Sequence, residues 1–359
     1  MIKMGRVKGL ILSGGRGTRL RPITHTNAKQ LVPVANKPIL FYGIEALCSA
    51  GINDIGIVVG DTREEIRAAV GNGSLWGVKV TYIHQAEPLG LAHAVKVSKD
   101  YIDGSSFVMY LGDNIIRDGI SSLVKEFVRN KPNSQILLAR VPNPGQFGVA
   151  EVKNGRVLHL VEKPRHPKSN LALVGVYMFD HSVFKAVNSI KPSNRGELEI
   201  TDAIQWLIDH RYRVDTHIVA GWWKDTGKLE DILEANRMML DTLETKIEGK
   251  VDNSSTIEFK VAIGKGTVVK GSTIRGPAVI GKNCKVRSSY IGPFTSVGDH
   301  TELENSEVEH SIIMGDSCII DMKKIEGSLI GKGVKISRPE RKPLAYRFML
   351  GDNSTIEVL

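Results

Sequence analysis

Apolar runs alternate with amphipathic stretches from the start of the chain to about residue 219. Strands are expected at residues 7–13, 54–59, 78–84, 106–111, 135–141, 174–179 and 214–219, with helices at 39–50, 62–70, 92–97, 120–130 and 200–210. Strand–helix alternation of this kind predicts an α/β domain with a Rossmann-like, mostly parallel sheet covered on both faces. One pair departs from the pattern. Residues 148–152 and 156–161, joined through Asn154-Gly155, predict an antiparallel hairpin that can wall one side of a cleft. In open α/β sheets ligands lie beyond the carboxyl ends of the strands. That rule puts the loop after residue 13, Gly112-Asp113 and Asp225 on one edge.

A helical pattern follows at 228–245, with Leu229, Ile232, Leu233, Asn236, Met239, Leu240 and Leu243 on one face. From Ile257 the period changes again. β-Branched residues and Leu recur at every sixth position with slips of one, through Ile263, Val269, Ile274, Ile280, Val286, Ile291, Val297 and Leu303, then Ile313, Ile319, Ile325, Ile330 and Ile336. A hexad repeat builds a parallel β-helix, one flat side per hexad, whose rungs stack into a continuous core. The expected divisions are an α/β domain over residues 1–227, a linker helix within 228–250, and a left-handed β-helix with a non-repeating tail over 251–359. The tail carries Tyr346 and Phe348.

The chemistry is concentrated near the start. The first strand breaks into Ser13-Gly-Gly-Arg-Gly-Thr-Arg-Leu-Arg-Pro22, followed by Lys29 and Pro33-Val-Ala-Asn-Lys-Pro38. Glycines let backbone N–H groups approach a ligand, and Arg and Lys beside them suit phosphates. The loop is not a P-loop, because no Gly-Lys-Ser/Thr follows the glycines, and Leu20 stands where a dinucleotide fingerprint needs its third glycine. A lone glycine loop reads equally well as a surface turn with solvated arginines. The whole ordered series is far more specific.

That series resembles the sugar-nucleotide pyrophosphorylases. Further motifs match the same family in order: Gln85…Pro88-Leu-Gly-Leu-Ala-His93, Leu111-Gly-Asp-Asn114, Phe147-Gly-Val149, Glu162-Lys-Pro164, Arg195-Gly-Glu-Leu-Glu-Ile-Thr-Asp202 and Trp222-Trp-Lys-Asp-Thr-Gly227. They look most like members that use dTTP and glucose 1-phosphate, and the C-terminal region is similar to the long form of those members. UTP-using members acting on sugar 1-phosphates are the alternative, some of which carry a second, acetyl-transferring site in a β-helix; His300 and His310 are the residues to examine for that. The resemblance covers essentially the whole chain.

The reaction it implies is attack of a sugar-1-phosphate oxygen on the α-phosphorus of a nucleoside triphosphate, with release of pyrophosphate. The nucleophile is already anionic, so positioning and charge neutralisation are the main demands. By resemblance, Leu12, Gly14, Gly15, Gln85 and Gly90 bind the nucleotide, Arg19 holds the leaving phosphates, and Lys29 stabilises charge at the α-phosphate. Asp113 and Asp225 hold Mg²⁺, although either taken singly reads as a helix cap. Lys163 grips the sugar phosphate, and Asn114, Gly148, Glu162 and Val174 line the sugar pocket. Arg16 and Arg21 are weaker candidates, and Glu197 either meets the sugar or ties its loop down.

Composition narrows the partners. The net charge is +9 over 359 residues, but aromatic residues are only 6% and no dense basic block occurs, so small anions are favoured over nucleic acid. Cys48, Cys284 and Cys318 are isolated from one another, which argues against a disulfide framework or zinc. No apolar span has membrane length. A cytosolic protein without membrane or nucleic-acid partners is expected, forming a homo-oligomer through the β-helix.

Overall fold

The computed structural model describes residues 7–15, 17–153, 155–338, 348 and 351–357. Arg16, Asn154 of the hairpin turn and Tyr346 of the tail lie outside the described residues. By its contacts the chain divides into two compact units, one of residues 1–16, 27–31 and 39–225, the other of residues 17–26, 32–38 and 226–359.

The first unit is built on nine strands: β1 (Val7–Ser13), β2 (Asp54–Val59), β3 (Lys79–His84), β4 (Ser106–Leu111), β5 (Ser134–Arg140), β6 (Gly148–Lys153), β7 (Arg156–Glu162), β8 (Leu171–Phe179) and β9 (Val214–Ile218). They pair in the order β7-β6-β8-β4-β1-β2-β3, and β5 lies between β8 and β9 on a second branch. The pairings β4-β1-β2-β3 and β5-β9 are parallel. The long β8 runs antiparallel to β4, β5 and β6, and β6 with β7 forms the expected hairpin, so the sheet is mixed around β8.

Apolar clusters cover the sheet. One gathers Leu10, Phe107, Leu138, Tyr177 and Ile204, the other Ile11, Ile44, Ile57, Val108 and Phe127. Successive residues Leu10 and Ile11 fall in different clusters because strand side chains alternate between faces, which explains why β1 reads as one unbroken apolar run. Lys8, the polar residue in that run, is buried and donates its ammonium to the Tyr101 carbonyl. Two short helices, Lys99–Ile102 and Val183–Ser189, lie outside the expected set.

In the second unit, strands stack in parallel into three sheets, which makes the left-handed β-helix. Ile257, Ile274, Ile291, Val308 and Ile325 lie in one column; Val269, Val286, Leu303, Ile319 and Ile336 lie in another. Val308 is missing from the expected series because the chain takes a shortened side on each flank of it. A polar column runs beside the core. Ser289 donates its N–H to Ser272 Oγ (3.1 Å), Ser306 to Ser289 Oγ (3.2 Å) and Met322 to Ser306 Oγ (3.1 Å). The helix Leu229–Leu240 belongs to this unit and presents Asn236, fully buried, toward the β-helix. No helix among the described residues is long and apolar enough to cross a membrane.

Candidate active site

The carboxyl end of β1 opens into Gly14 and Gly15, and the segment 27–31 returns to the same unit. It carries Lys29 in a single 3₁₀ turn, where the side chain is only 7% exposed. The Lys29 ammonium donates to Asp113 Oδ2 and stands 4.0 Å from Asp225 Oδ1. A lysine so enclosed requires anionic partners, and both of them come from strand ends.

Asp113 follows β4 after a single residue, Gly112. A short strand, Asn114–Ile116, continues from it and pairs antiparallel with Trp223–Asp225, with Asp225 opposite Asn114. This two-stranded ladder brings the two aspartates together although they are far apart in sequence. Asn114 is buried, donates to Asp113 Oδ1 at 2.8 Å, and accepts the indole N–H of Trp223. The Trp223 ring packs edge-on against Phe147, with centroids 5.2 Å apart. Burial alone would push the Asp113 carboxyl up; the adjacent Lys29 charge and the hydrogen bonds from Lys29 and Asn114 more than offset this and hold it below the usual carboxylate range.

The hairpin supplies a second cluster. Glu162 ends β7, and Lys163 follows it in the left-handed region at φ 42°, its N–H donated to the Phe147 carbonyl (3.0 Å). A lysine held there is strained, which is common at ligand-binding positions. Glu162 Oε2 accepts from Thr201 Oγ1 (3.3 Å), and Oε1 lies 3.4 Å from Arg195 and 3.9 Å from Lys163. Arg195 also reaches Glu199 (3.4 Å) and Glu197 (3.1 Å), so Glu197 ties down the loop through Arg195. Burial raises the Glu162 pKa, and the neighbouring Glu199 adds to it, against Lys163, Arg195 and the Thr201 hydroxyl. Gly148 is obligatory at this point, because a Cβ there would meet Thr201 Cγ2 at 2.6 Å and Leu173 Cδ1 at 2.7 Å. Buried Tyr177 links the two clusters: its ionisation is suppressed by burial and further by the charges of Glu162 and Asp225.

The remaining candidates form a third group. Gln85 follows β3, is buried, and donates its backbone N–H to Val59 O (2.9 Å). Gly90 has φ 104°, and a Cβ on it would stand 2.4 Å from the Leu198 carbonyl. Leu12 and Val174 have buried side chains in the apolar clusters, so what they can offer a ligand is backbone. The Leu12 carbonyl already accepts from Gly112 N–H (2.9 Å). Arg19 belongs to the second unit, on the 3₁₀ turn Thr18–Leu20; a Cβ on Gly227 would lie 2.9 Å from its guanidinium. Arg21 lies just past that turn.

Sequence reasoning did not single out Trp223, Thr201, Glu199 or Tyr177 individually. The first three sit inside quoted motifs, so proximity to motif residues was the available signal; Tyr177, in the middle of an apolar strand, offered none.

Two carboxylates with a buried ammonium suit a hard cation that takes its other ligands from phosphate and water. Among the described residues no group of three or more His, Cys, Asp or Glu side chains is placed to enclose a metal by itself. Asp113 and Asp225 offer such an ion two carboxylates and leave its other positions to phosphate and water.

In the β-helix, His300 lies 3.4 Å from Asp316, and the His310 ring packs on Phe294 with centroids 5.1 Å apart. Both occupy left-handed corner positions.

Comparison with known proteins places the chain in a family. The family model described as "Nucleotidyl transferase" matches residues 8–242. A glucose-1-phosphate thymidylyltransferase of Streptomyces griseus is 52% identical over 353 residues, 98% of this chain and 99% of its own length. One from Streptomyces antibioticus is 53% identical over 354 residues, with the same shares covered. A solved structure assigned as a glucose-1-phosphate thymidylyltransferase from Bacillus anthracis, in complex with a sucrose, superposes with a TM-score of 0.63 at 36% identity, over 67% of this chain and 98% of that one.

Proposed function

This chain belongs to the nucleotidyl transferase family, and we propose that within it the protein transfers dTMP from dTTP to glucose 1-phosphate, giving dTDP-glucose and pyrophosphate. The observation that carries this reading is the Lys29 ammonium enclosed by Asp113 and Asp225 at the strand ends. It is the arrangement that a reaction between two phosphate anions demands, since cations must neutralise charge that water would otherwise solvate.

In this reading Gly14 and Gly15 offer backbone to the nucleotide, Gln85 and Gly90 read the base edge, and Arg19 holds the leaving β- and γ-phosphates, a role that rests on the motif. Asp113 and Asp225 hold a divalent cation, Mg²⁺ being the ion expected. When bound, that ion supplies charge neutralisation and orients the phosphates. Asn114 orients Asp113 through its amide, and Trp223 orients Asn114. Lys163 aligns the sugar phosphate for in-line attack by its oxygen on the α-phosphorus. Glu162 accepts hydrogen bonds from sugar hydroxyls, supported by its place opposite Gly148 in the hairpin, where no side chain stands between the carboxylate and the backbone. No general base is required, because the attacking oxygen is anionic before it binds.

The β-helix is read as a scaffold for assembly of a homo-oligomer. Its two candidate histidines are engaged with Asp316 and Phe294, which supports a structural role for both.

The test is pyrophosphate release with dTTP, UTP, CTP, ATP and GTP against glucose 1-phosphate, glucosamine 1-phosphate and N-acetylglucosamine 1-phosphate. Highest kcat/KM for dTTP with glucose 1-phosphate is expected. A preference for a purine triphosphate, or for an amino-sugar phosphate, would overturn the assignment.

A further inference from the structure

One side chain of the base-reading group has a neighbour to which the reaction assigns no role. The Gln85 amide nitrogen points at the Gly90 carbonyl (3.4 Å) and lies 3.0 Å from His93 Nδ1. The amide oxygen points the other way, toward the glycine loop, where a Cβ built on Gly14 would stand 3.0 Å from it. A carbonyl only accepts, so the group facing Gly90 must be the NH₂. The same nitrogen faces His93, so Nδ1 must accept as well. His93 is therefore neutral, with its proton on Nε2.

We propose that His93 is a positioning residue for base selection: its unprotonated Nδ1 fixes the Gln85 amide so that Oε1, an acceptor, is the atom offered to the base. The proposal rests on the reading of Gln85 as the base-edge residue. Thymine and uracil present an N3–H donor that matches an acceptor. Cytosine presents an unprotonated N3, which meets the same oxygen as acceptor against acceptor. Without the histidine only the longer contact with the Gly90 carbonyl (3.4 Å) opposes a half-turn of the amide, and the nitrogen offered after such a turn suits cytosine.

Protonation of His93 has the same consequence as its removal, because Nδ1–H and the amide NH₂ would then be two donors face to face. Burial first, and then the Lys96 charge one turn along the helix Leu91–Val97, lower the His93 pKa; Glu87 acts against them. The elements packed against that helix, Lys99–Ile102, Val183–Ser189 and Ile200–Asp209, bring Lys99, Asp100, Tyr101, Lys185, Asp202 and Asp209 as their ionisable groups. The neutral, accepting form is thus the one present at neutral pH.

The experiment is steady-state kinetics of the full chain with dTTP and with dCTP between pH 5.5 and 8.5, for the wild type, His93→Ala, His93→Asn and Gln85→Ala. Asparagine places an oxygen acceptor near the Nδ1 position and does not titrate. Loss of one net hydrogen bond predicts that His93→Ala raises KM for dTTP about three- to tenfold while kcat stays within about twofold, and that the dCTP-to-dTTP ratio of kcat/KM rises by a similar factor. His93→Asn should restore both quantities and flatten the acid limb of kcat/KM for dTTP; substrate titration is common to all variants and drops out of the comparison. Should His93→Ala fail to fold, the acid limb of His93→Asn still decides. The proposal is overturned if Gln85→Ala relaxes discrimination but His93→Ala does not, or if His93→Asn keeps the wild-type acid limb. If Gln85→Ala itself leaves discrimination unchanged, it is the base-edge reading of Gln85 that has failed, and the proposal falls with it.

Discussion

The indole N–H of Trp223 donates to Oδ1 of Asn114, across a two-stranded ladder that brings Asp225 opposite Asn114. Asn114 passes the constraint on, because its Nδ2 donates to Asp113 Oδ1. A tryptophan thus orients an aspartate through the amide between them. Trp223→Phe keeps a ring against Phe147 but removes the donor. It should cost about 1–3 kcal/mol of stability, since the buried Asn114 oxygen loses a partner, and should lower kcat with little change in KM for either substrate. Urea denaturation and initial rates check this; a variant with wild-type kcat would mean that Asp113 needs no such support.

The two aspartates should respond differently to the same substitution. Asp113→Asn removes the carboxylate bonded directly to a buried ammonium, and breaking such a pair costs about 3–5 kcal/mol. Asp225 is 4.0 Å from that ammonium, beyond a direct hydrogen bond, so the loss of its charge in Asp225→Asn should cost less than the loss at Asp113. Turnover should fall at least about 100-fold in both, as expected when a group that stabilises transition-state charge is lost. Chemical denaturation beside activity separates the two effects, and equal stability losses would contradict the geometry.

Glu162 should be destabilising when charged. Its folded pKa is raised by burial and by Glu199, so the native state binds the proton more tightly than the unfolded chain. Stability therefore falls as pH rises through the folded pKa, and the penalty is absent below the ordinary carboxylate pKa of about 4.3. Glu162→Gln should be more stable than the wild type at pH 8, with the difference shrinking toward pH 4. The same variant should lose about tenfold to a hundredfold in kcat/KM for glucose 1-phosphate, as a charge-assisted hydrogen bond is weakened. Urea midpoints across pH test the first half, and a constant stability difference from pH 4 to 8 would refute it.

Much of this was legible in the chain before any coordinates. Period two and period 3.6 in the first unit, and period six in the second, each leave a long signal, so most strands and the β-helix were expected close to where they lie. Short elements leave none. The ladder of Asn114–Ile116 with Trp223–Asp225 is three residues per strand, and it is the element that joins the two aspartates. The mixed sheet had a local cause as well: β8 is apolar at every position whichever way its neighbours run. Motif residues such as Lys29 and Glu162 could be named from the family resemblance, but their partners Trp223, Thr201 and Tyr177 are defined by distance, which a motif does not carry.

Asn236 shows how a polar residue in an apolar pattern can be explained only by its surroundings. It occupies a core-facing position of the helix Leu229–Leu240 and is fully buried. Its Oδ1 accepts from Ala35 N–H (2.8 Å) and from Ser296 Oγ (2.7 Å), and its Nδ2 donates to the Phe294 carbonyl (2.9 Å). One side chain thereby fastens the turn between Pro33–Val34 and Lys37–Pro38, the helix and a rung of the β-helix, all within the second unit. Asn236→Leu matches the apolar pattern better and should still destabilise, because the buried Ser296 hydroxyl and the half-buried Ala35 N–H and Phe294 carbonyl lose their partner, at about 1 kcal/mol each. Asn236→Asp keeps the acceptor but, when ionised, has no donor for the Phe294 carbonyl, so it should be less stable than the wild type at neutral pH, and protonation, which restores an O–H donor, should narrow the gap. Thermal denaturation of the three proteins gives the order, and a leucine variant as stable as the wild type would show that apolar packing, not this hydrogen-bonded junction, holds the helix to the β-helix.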